Sequence, residues 1–298
     1  MINNTWYINH LKQIKEKSGP RYTPHLNIEL PISEIFEGIS KNKKFYTEIR
    51  KEYGELINEF NVASQYEDSA LQTLYNELKQ DIDNLLKIID SIKNYNAEQI
   101  PWDNIYKQAQ KLTENLWVFS DNLRKEKDRV KHIKAPINKN GGHQQSPSEK
   151  IDSYIYHIRK TIEVIRCFEE ISSSTKAKLS NNPFLLITGK AGRGKTHLLC
   201  DVAENRINNN YPLPTFMVFG EYFYNEEDFW TQALKQLQIN NTITKGDFLS
   251  ELDRLGKEAE CRSLFIIDAL NENIPQAPNF WKNNLSGIID DIKHSIQI

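Results

Sequence analysis

The sequence contains few cysteines, and they are not arranged as a site. Cys167, Cys200 and Cys261 are the only three among 298 residues, and they form neither a CxxC motif nor a Cys/His ligand spacing. An odd, scattered set of thiols excludes a disulfide framework and gives no sign of a structural zinc site. This pattern is typical of a reducing compartment, and we expect a cytoplasmic protein.

Long apolar runs and an excess of one charge are also missing. The first 19 residues lack the apolar core of a signal peptide, and no stretch approaches the roughly 18 apolar residues of a membrane-spanning helix. The 38 Lys and Arg residues nearly cancel the 40 Asp and Glu residues. The charge balance therefore indicates neither nucleic acid nor a membrane as a partner of the whole chain.

Residues 41–134 have the periodicity of an all-α domain. Apolar residues recur every three or four positions between Leu71 and Ile92, and again between Ile105 and Leu123 after a break at Pro101. We predict a hairpin of two long helices with a third helix over about 44–60. The basic end of this domain, LRKEKDRVKHIK, would contact nucleic acid or form a solvated helix face, and the interspersed Glu126 and Asp128 favour the solvated face.

The periodicity stops at 135–150, which we interpret as a linker rich in Pro, Gly, Asn, Gln and Ser. It ends in a helix start, with Ser146 as N-cap, Pro147 at the first helical position and Glu149 closing a capping box. From 151 to 298 short apolar runs alternate with helical segments: PFLLIT, PTFMVFGEYF and SLFIID are the predicted buried strands. This alternation predicts an α/β domain in which helices cover a parallel sheet.

A phosphate-binding loop directly follows the first of these predicted strands. GKAGRGKTHLL matches G-x-x-x-x-G-K-[ST]. Glycines let successive backbone N–H groups turn toward phosphate oxygens, and a helix starting near Gly194 adds its positive end. Lys195 would reach the terminal phosphates and assist catalysis, and the Thr196 hydroxyl would bind Mg2+. The predicted ATP-binding residues are Gly189, Lys190, Ala191, Gly192, Arg193, Gly194, Lys195, Thr196 and His197.

A second motif, FIIDALNE, ends the third predicted strand. Asp268 would lie at the carboxyl edge of the sheet, where a carboxylate holds Mg2+ through its water shell. Glu272, four positions later, would orient and deprotonate the attacking water as the catalytic base. Together, the two motifs predict that the protein binds ATP and Mg2+ as cofactors.

These motifs, with the second strand running into GEYF, resemble the STAND class of P-loop NTPases in its NACHT-like branch, and most closely the antiviral STAND proteins of bacteria and archaea. The likeness covers about Pro183 to Asn284 and includes the helix DFLSELDRLGKEAE before FIIDALNE. The resemblance implies an ASCE-type P-loop fold and an ATP-dependent switch in anti-phage defence. It also implies a homo-oligomer, or a complex with an effector or sensor protein, on activation.

Residues 1–40 resemble a leader segment that precedes the nucleotide domain in such bacterial NTPases. If this segment folds back, Arg21, Tyr22 and Pro24 are the candidate adenine contacts. The alternative is an extended segment that merely packs through alternating apolar residues, which are Leu26, Ile28, Leu30 and Ile32.

Two departures from the family pattern shape the functional expectation. Asn271 stands where many NACHT proteins have an acidic residue, and no sensor strand or winged helix follows FIIDALNE. We therefore expect an amino-terminal portion, or a chain completed by a partner, that binds ATP and hydrolyses it weakly alone. The alternatives are a DNA-handling AAA+-like ATPase, such as a loader or transposition helper, and a helical interaction protein with a degenerate nucleotide site.

Overall fold

A computed structural model describes residues 2–23, 32–63, 71–92, 99–133, 145–209, 211–224, 227–270 and 279–295. In these ranges the chain is mostly helical. The helices are α1 Asn4–Ser18, α2 Ile32–Ser40, α3 Lys43–Ala63, α4 Gln72–Asp90, α5 Trp102–Val130, α6 Pro147–Ser173, α7 Thr175–Asn181, α8 Lys195–Ile207, α9 Phe229–Gln236, α10 Lys245–Glu258 and α11 Phe280–Ser295. The strands are β1 Thr215–Phe219 and β2 Leu264–Asp268, and short 3-10 turns cover Gly19–Arg21 and Gly220–Tyr222. None of the described helices is both long and apolar enough to cross a bilayer.

The chain divides into two compact units. The helical unit comprises Lys44–Lys93 and Gln99–Lys178, and the mixed unit comprises Met1–Lys43, Asn94–Glu98 and Leu179–Ile298. The 1–40 segment thus shares a compact unit with the motif-bearing region. The later boundary lies after Lys178 and not at 151, where the sequence suggested it. The predicted linker 135–150 lies largely outside the described residues.

The helical unit contains the predicted hairpin. Helices α4 and α5 run antiparallel, because Tyr75 packs on Phe119 while Asp81, further along α4, binds Lys111, which lies earlier on α5. The residues that alternate at helical spacing form its core: Tyr75, Leu78, Ile82, Leu85 and Ile89 of α4 and Ile105, Ala109, Leu112, Leu116, Phe119 and Leu123 of α5 are buried. The predicted amphipathic pattern of both helices is confirmed.

Helix α6 joins the same core and starts as predicted. The Ser146 hydroxyl accepts from the Glu149 N–H at 3.3 Å, and the Glu149 carboxylate accepts from the Ser146 N–H at 2.7 Å. Its buried face, which includes Ile155, Ile162 and Ile165, packs in the helical core. Because this apolar face is covered by the helical unit, α6 belongs there and does not start the mixed unit.

The sheet of the mixed unit has two parallel strands in register, with Thr215 opposite Leu264 and Phe219 opposite Asp268. Both lie within predicted strands. The prediction of a strand at PFLLIT is wrong: the structure assigns no strand to residues 182–190, and Leu186 is 72% exposed. An apolar run becomes a strand only where a neighbour completes its backbone hydrogen bonds, and β2 pairs only with β1 among the described residues.

Side chains occupy the outer edge of β1. The Met217 N–H donates to His10 Nε2 at 3.0 Å. The Phe219 N–H donates to Gln236 Oε1 at 3.1 Å, and Gln236 Nε2 donates back to the Phe219 carbonyl at 3.2 Å. Exposed strand edges invite further pairing, and these side chains use the groups that a further strand would need. A further strand would therefore have to add at the β2 edge.

Burying Leu116 is expected to contribute much of the stability of the helical unit. Leu116→Ala should lower the free energy of unfolding by about 2–5 kcal/mol, because it opens a cavity in a packed core. Val118→Ala, two residues away on the more exposed face of α5, should change it by less than about 0.5 kcal/mol. Urea denaturation followed by circular dichroism measures both, and equal losses would contradict the packing described.

His10 should make the mixed unit sensitive to acid. Burial lowers the pKa of His10 from 6.5 to about 4, so the folded protein holds the neutral ring while the unfolded chain takes up a proton as pH falls below 6.5. The contribution of the neutral His10 ring to the free energy of unfolding is therefore fully present above pH 6.5, and it is lost as the pH falls from 6.5 to 4. Between pH 7.5 and 5, the free energy of unfolding should fall by about 2 kcal/mol more in the wild type than in His10→Gln. Urea titrations of both proteins at the two pH values test this, and equal falls would contradict it.

Candidate functional site

The predicted phosphate loop forms a glycine turn that leads directly into α8. Gly192 and Gly194 have φ values of 74° and 77°, in the left-handed region where a side chain is strained. Residues 189–194 are exposed. Lys195 Nζ donates to the carbonyl oxygens of Gly189 at 2.8 Å and Lys190 at 3.1 Å, so the lysine folds back over its own loop. The loop thus presents free space, a cation and the amino end of a 13-residue helix.

Asp268 lies on the α8 side of the sheet. The alternating burial of β2 puts its side chain on the same face as Leu264 and Ile266, and α8 packs on both strands. Burial raises the pKa of the Cys200 thiol to about 11, and the nearby Asp268 carboxylate adds to this rise. Because Cys200 follows Thr196 by four residues, it lies one helical turn from it. The packing of helix α8 on the sheet therefore places the amino end of the helix, with the glycine loop, close to Asp268.

The Asp268 carboxylate is an incompletely satisfied buried group. The residue is 4% exposed, and its Oδ2 has no hydrogen-bond partner in the part of the chain that the structure describes. A buried carboxylate oxygen without a partner is costly unless a cation or a donor completes it. Asp268 therefore has an acceptor available at the carboxyl end of β2.

The carboxyl ends of both strands are held close together at the backbone. A Cβ added to Gly220 would lie 2.7 Å from the Ala269 carbonyl oxygen, and Ala269 itself has a φ of 58°. Only glycine permits this approach. The chain turns sharply directly after Asp268, so the orientation of that carboxylate depends on the fit at Gly220. Sequence reasoning singled out the GEYF segment but not this role of its glycine.

The 1–23 segment lies along one face of α8. Lys15 Nζ donates to Glu204 at 2.7 Å, and the Tyr22 hydroxyl also donates to that carboxylate. Burial pushes the pKa of Glu204 up, but these two hydrogen bonds, the positive charge of Lys15 and a hydrogen bond from Asn208 together lower it. Near the loop, the Thr23 N–H donates to His197 Nδ1 at 3.3 Å, and the Tyr22 and His197 rings lie 5.2 Å apart. Glu204 was not among the predicted site residues, although it lies seven positions after His197 and thus on the same helix face.

Two of the candidate adenine contacts have different partners in the structure. Tyr22 is buried beside His197, whereas Arg21 forms an ion pair with Glu221 at 2.9 Å after β1. Lys17 lies over the Tyr222 ring at 5.1 Å in the same region. Pro24 lies outside the described residues, as do Asn271 and Glu272, so the predicted catalytic base has no described position.

The residues present fit Mg2+ bound together with phosphate. Among the described residues, no group of three or more His, Cys, Asp or Glu side chains would hold a metal by itself. Mg2+ bound with a nucleotide needs only one or two protein oxygen ligands, because phosphates and waters supply the rest. Among the described residues, Asp268, whose Oδ2 has no partner there, and the Thr196 hydroxyl could supply these oxygen ligands.

Comparison of the chain with protein-family models, with curated proteins and with solved structures gave no match. The support for a function therefore comes from the residues and their geometry.

Gly220→Ala should destabilise the mixed unit by about 1–3 kcal/mol, because the added methyl group collides with the Ala269 backbone, which cannot move aside cheaply. Gly287→Ala is the matched control: Gly287 lies within α11, where a Cβ meets nothing within 4 Å. That change should stabilise by about 0.5–1 kcal/mol through helix propensity. Chemical denaturation distinguishes the two, and a neutral Gly220→Ala would contradict the close approach.

Proposed function

We propose that this chain binds ATP with Mg2+ as a P-loop NTPase of STAND type and acts as a nucleotide-dependent switch. One observation carries the proposal. A glycine turn with a lysine and a threonine enters α8, and the same helix packs beside Asp268, whose buried Oδ2 has no partner in the described structure. A turn that merely connected two elements would not require a buried acceptor next to it.

Each residue has a physical task in this proposal. Backbone N–H groups of the Gly189–Gly194 loop and the first turn of α8 bind phosphate oxygens, which the helix dipole also attracts. Lys195 exchanges its two carbonyl partners for the terminal phosphates. Thr196 and Asp268 hold the metal, Asp268 through water. When bound, Mg2+ neutralises charge on the phosphate oxygens.

The 1–23 segment is the part of the chain that would respond to nucleotide binding in this proposal, because it contacts α8 at several points. Its last described residues contact His197, the residue directly after Thr196. Ser18 lies 2.9 Å from Cys200, one turn further along α8, and Lys15 and Tyr22 bind Glu204, another turn on. In our proposal, a change in the loop passes along α8 to these contacts. Tyr22, Arg21 and Pro24 remain the candidate adenine contacts.

The remaining parts of the proposal follow from the family resemblance. They are Glu272 as the base for a slow hydrolysis, oligomerisation or binding of an effector or sensor protein on activation, and a role in anti-phage defence in the cytoplasm. Asn271, in place of a second acid, favours weak turnover by the chain alone. Weak turnover suits a switch, because the bound state must persist long enough to be read.

Lys195→Ala should weaken binding of a fluorescent ATP analogue in the presence of Mg2+ by about 10- to 100-fold, because charge-assisted hydrogen bonds to the phosphates are lost. Lys190→Ala is the matched control within the loop. Lys190 accepts a hydrogen bond from Lys195 through its backbone carbonyl oxygen. Removing its side chain should therefore leave nucleotide binding nearly unchanged. Asp268→Asn should reduce the gain in affinity that Mg2+ provides. A fluorescence titration with and without Mg2+ measures all four proteins.

Equal nucleotide binding by wild type and Lys195→Ala would overturn the proposal. A phosphate-release assay separates a switch that hydrolyses ATP from a degenerate site. Glu272→Gln should lower the slow turnover of the wild type without lowering ATP affinity. If ATP binds and Glu272→Gln leaves phosphate release unchanged, the degenerate-site alternative is supported instead.

A further inference from the structure

A basic face runs along the antiparallel pair of α5 and α6 in the helical unit. Lys127 near the end of α5 binds Asp152 near the start of α6 at 2.6 Å, whereas Thr113 binds Glu169 at 2.7 Å towards the other ends. Between them, a surface depression of about 250 Å³ is lined by Arg124, Lys127, Asp152, Ile155, Tyr156 and Arg159. The basic end of α5, which sequence reasoning assigned to solvent, therefore lies opposite a second set of cations on α6.

The helical repeat extends this face beyond the depression. Lys131 follows Arg124 by seven residues, and Arg166 follows Arg159 by seven, so each pair lies on one stripe of its helix. Because the helices are antiparallel, the two extensions point in opposite directions. At 1.5 Å per residue, and with Lys127 opposite Asp152, the basic face spans about 25 Å. We define it as Arg124, Lys127, Lys131, Tyr156, Arg159 and Arg166.

The charges on the basic face are available to an anion. Arg159 and Arg166 are exposed and make no ion pair or hydrogen bond with any residue that the structure describes. Arg124 pairs with Asp121 at 2.9 Å and Lys127 with Asp152 at 2.6 Å, but all four side chains are at least a third exposed. Exposed pairs contribute little stability and exchange readily. Glu163, next to the stripe, is paired with Lys160 at 2.6 Å.

Tyr156 adds an aromatic surface to these charges. It is 56% exposed at the wall of the depression, while its neighbour Ile155 supplies the buried contact with the core. An exposed aromatic ring beside several guanidinium groups is the combination on which unpaired bases stack while their phosphates are held. A core role does not account for this ring.

We propose that the basic face binds single-stranded nucleic acid. The depression is large enough for about one base, and Tyr156 can stack only on a base that is not already paired. The near-zero net charge of the whole chain does not oppose this, because the relevant field is local and falls off within about 10 Å at moderate salt. The proposal rests on the helical unit alone and is independent of the phosphate loop.

Fluorescence anisotropy with a labelled 20-nucleotide oligo(dT), without ATP, tests the basic face. The full chain should bind at low salt. The slope of log binding constant against log salt concentration should become shallower by about 0.7 for each phosphate contact that a variant removes. Arg159→Glu and Arg166→Glu should each weaken binding by at least about tenfold. Tyr156→Ala should weaken it by about tenfold while Tyr156→Phe retains it, because the ring and not the hydroxyl stacks.

Two controls make the test specific. Arg50→Glu makes the same charge change at an exposed arginine of α3 that does not line the depression, and it should leave binding nearly unchanged. Lys195→Ala should bind oligo(dT) like wild type, which separates this surface from the phosphate loop. The proposal is overturned if oligo(dT) does not bind, if Arg50→Glu weakens binding as much as Arg159→Glu, or if unlabelled duplex of equal length competes better than unlabelled oligo(dT). Circular dichroism melting confirms that each variant is folded.

Discussion

Helix α8 packs on both strands of the parallel pair, and the arrangement of the candidate site depends on this packing. Its amino end carries the glycine turn, Lys195 and Thr196, and its next turn carries Cys200 beside Asp268. The apolar face of α8 is buried against the sheet, so the helix cannot rotate or slide without exposing it. This packing places Thr196, at the end of the loop, close to the Asp268 carboxylate, which lies 72 residues later in the chain.

The backbone around the sheet constrains the same region from two sides. At the carboxyl end, the approach of Gly220 to Ala269 fixes where the chain leaves β2 after Asp268. At the outer edge of β1, His10 and Gln236 use backbone groups that a further strand would need. The apolar run at 183–188, in which Leu185 and Ile187 are partly buried against the core, precedes the glycine turn without pairing in the described structure. If that run joins the sheet in an assembled or nucleotide-bound state, the β2 edge is the place for it, because the β1 edge is occupied by side chains.

The helix pair of α5 and α6 has two different faces. The inward faces of α5 and α6 are apolar and stabilise the unit, while their outward faces carry both cations and acids. Neither outward face alone is unusual, since charged residues normally cover the solvent side of a helix. Antiparallel pairing places Arg124 and Lys127 next to Tyr156 and Arg159, and this makes a depression with a local field although the whole chain is nearly neutral.

The sequence by itself determined the features that depend on local spacing. The 3.6-residue repeat predicted the buried faces of α4 and α5, and the capping box at Ser146 and Glu149 predicted the start of α6, because both signals act within a few residues. The tertiary structure decided what depends on distant partners. Residues 183–188 have the composition of a strand but no strand pairs with them in the part of the chain that the structure describes. Helix α6 belongs to the helical unit because the surface that covers it lies there. The Asp268 oxygen that has no partner among the described residues, and the facing of Arg159 with Arg124, were likewise decided by packing, because hydrogen-bond satisfaction and local charge depend on which elements meet.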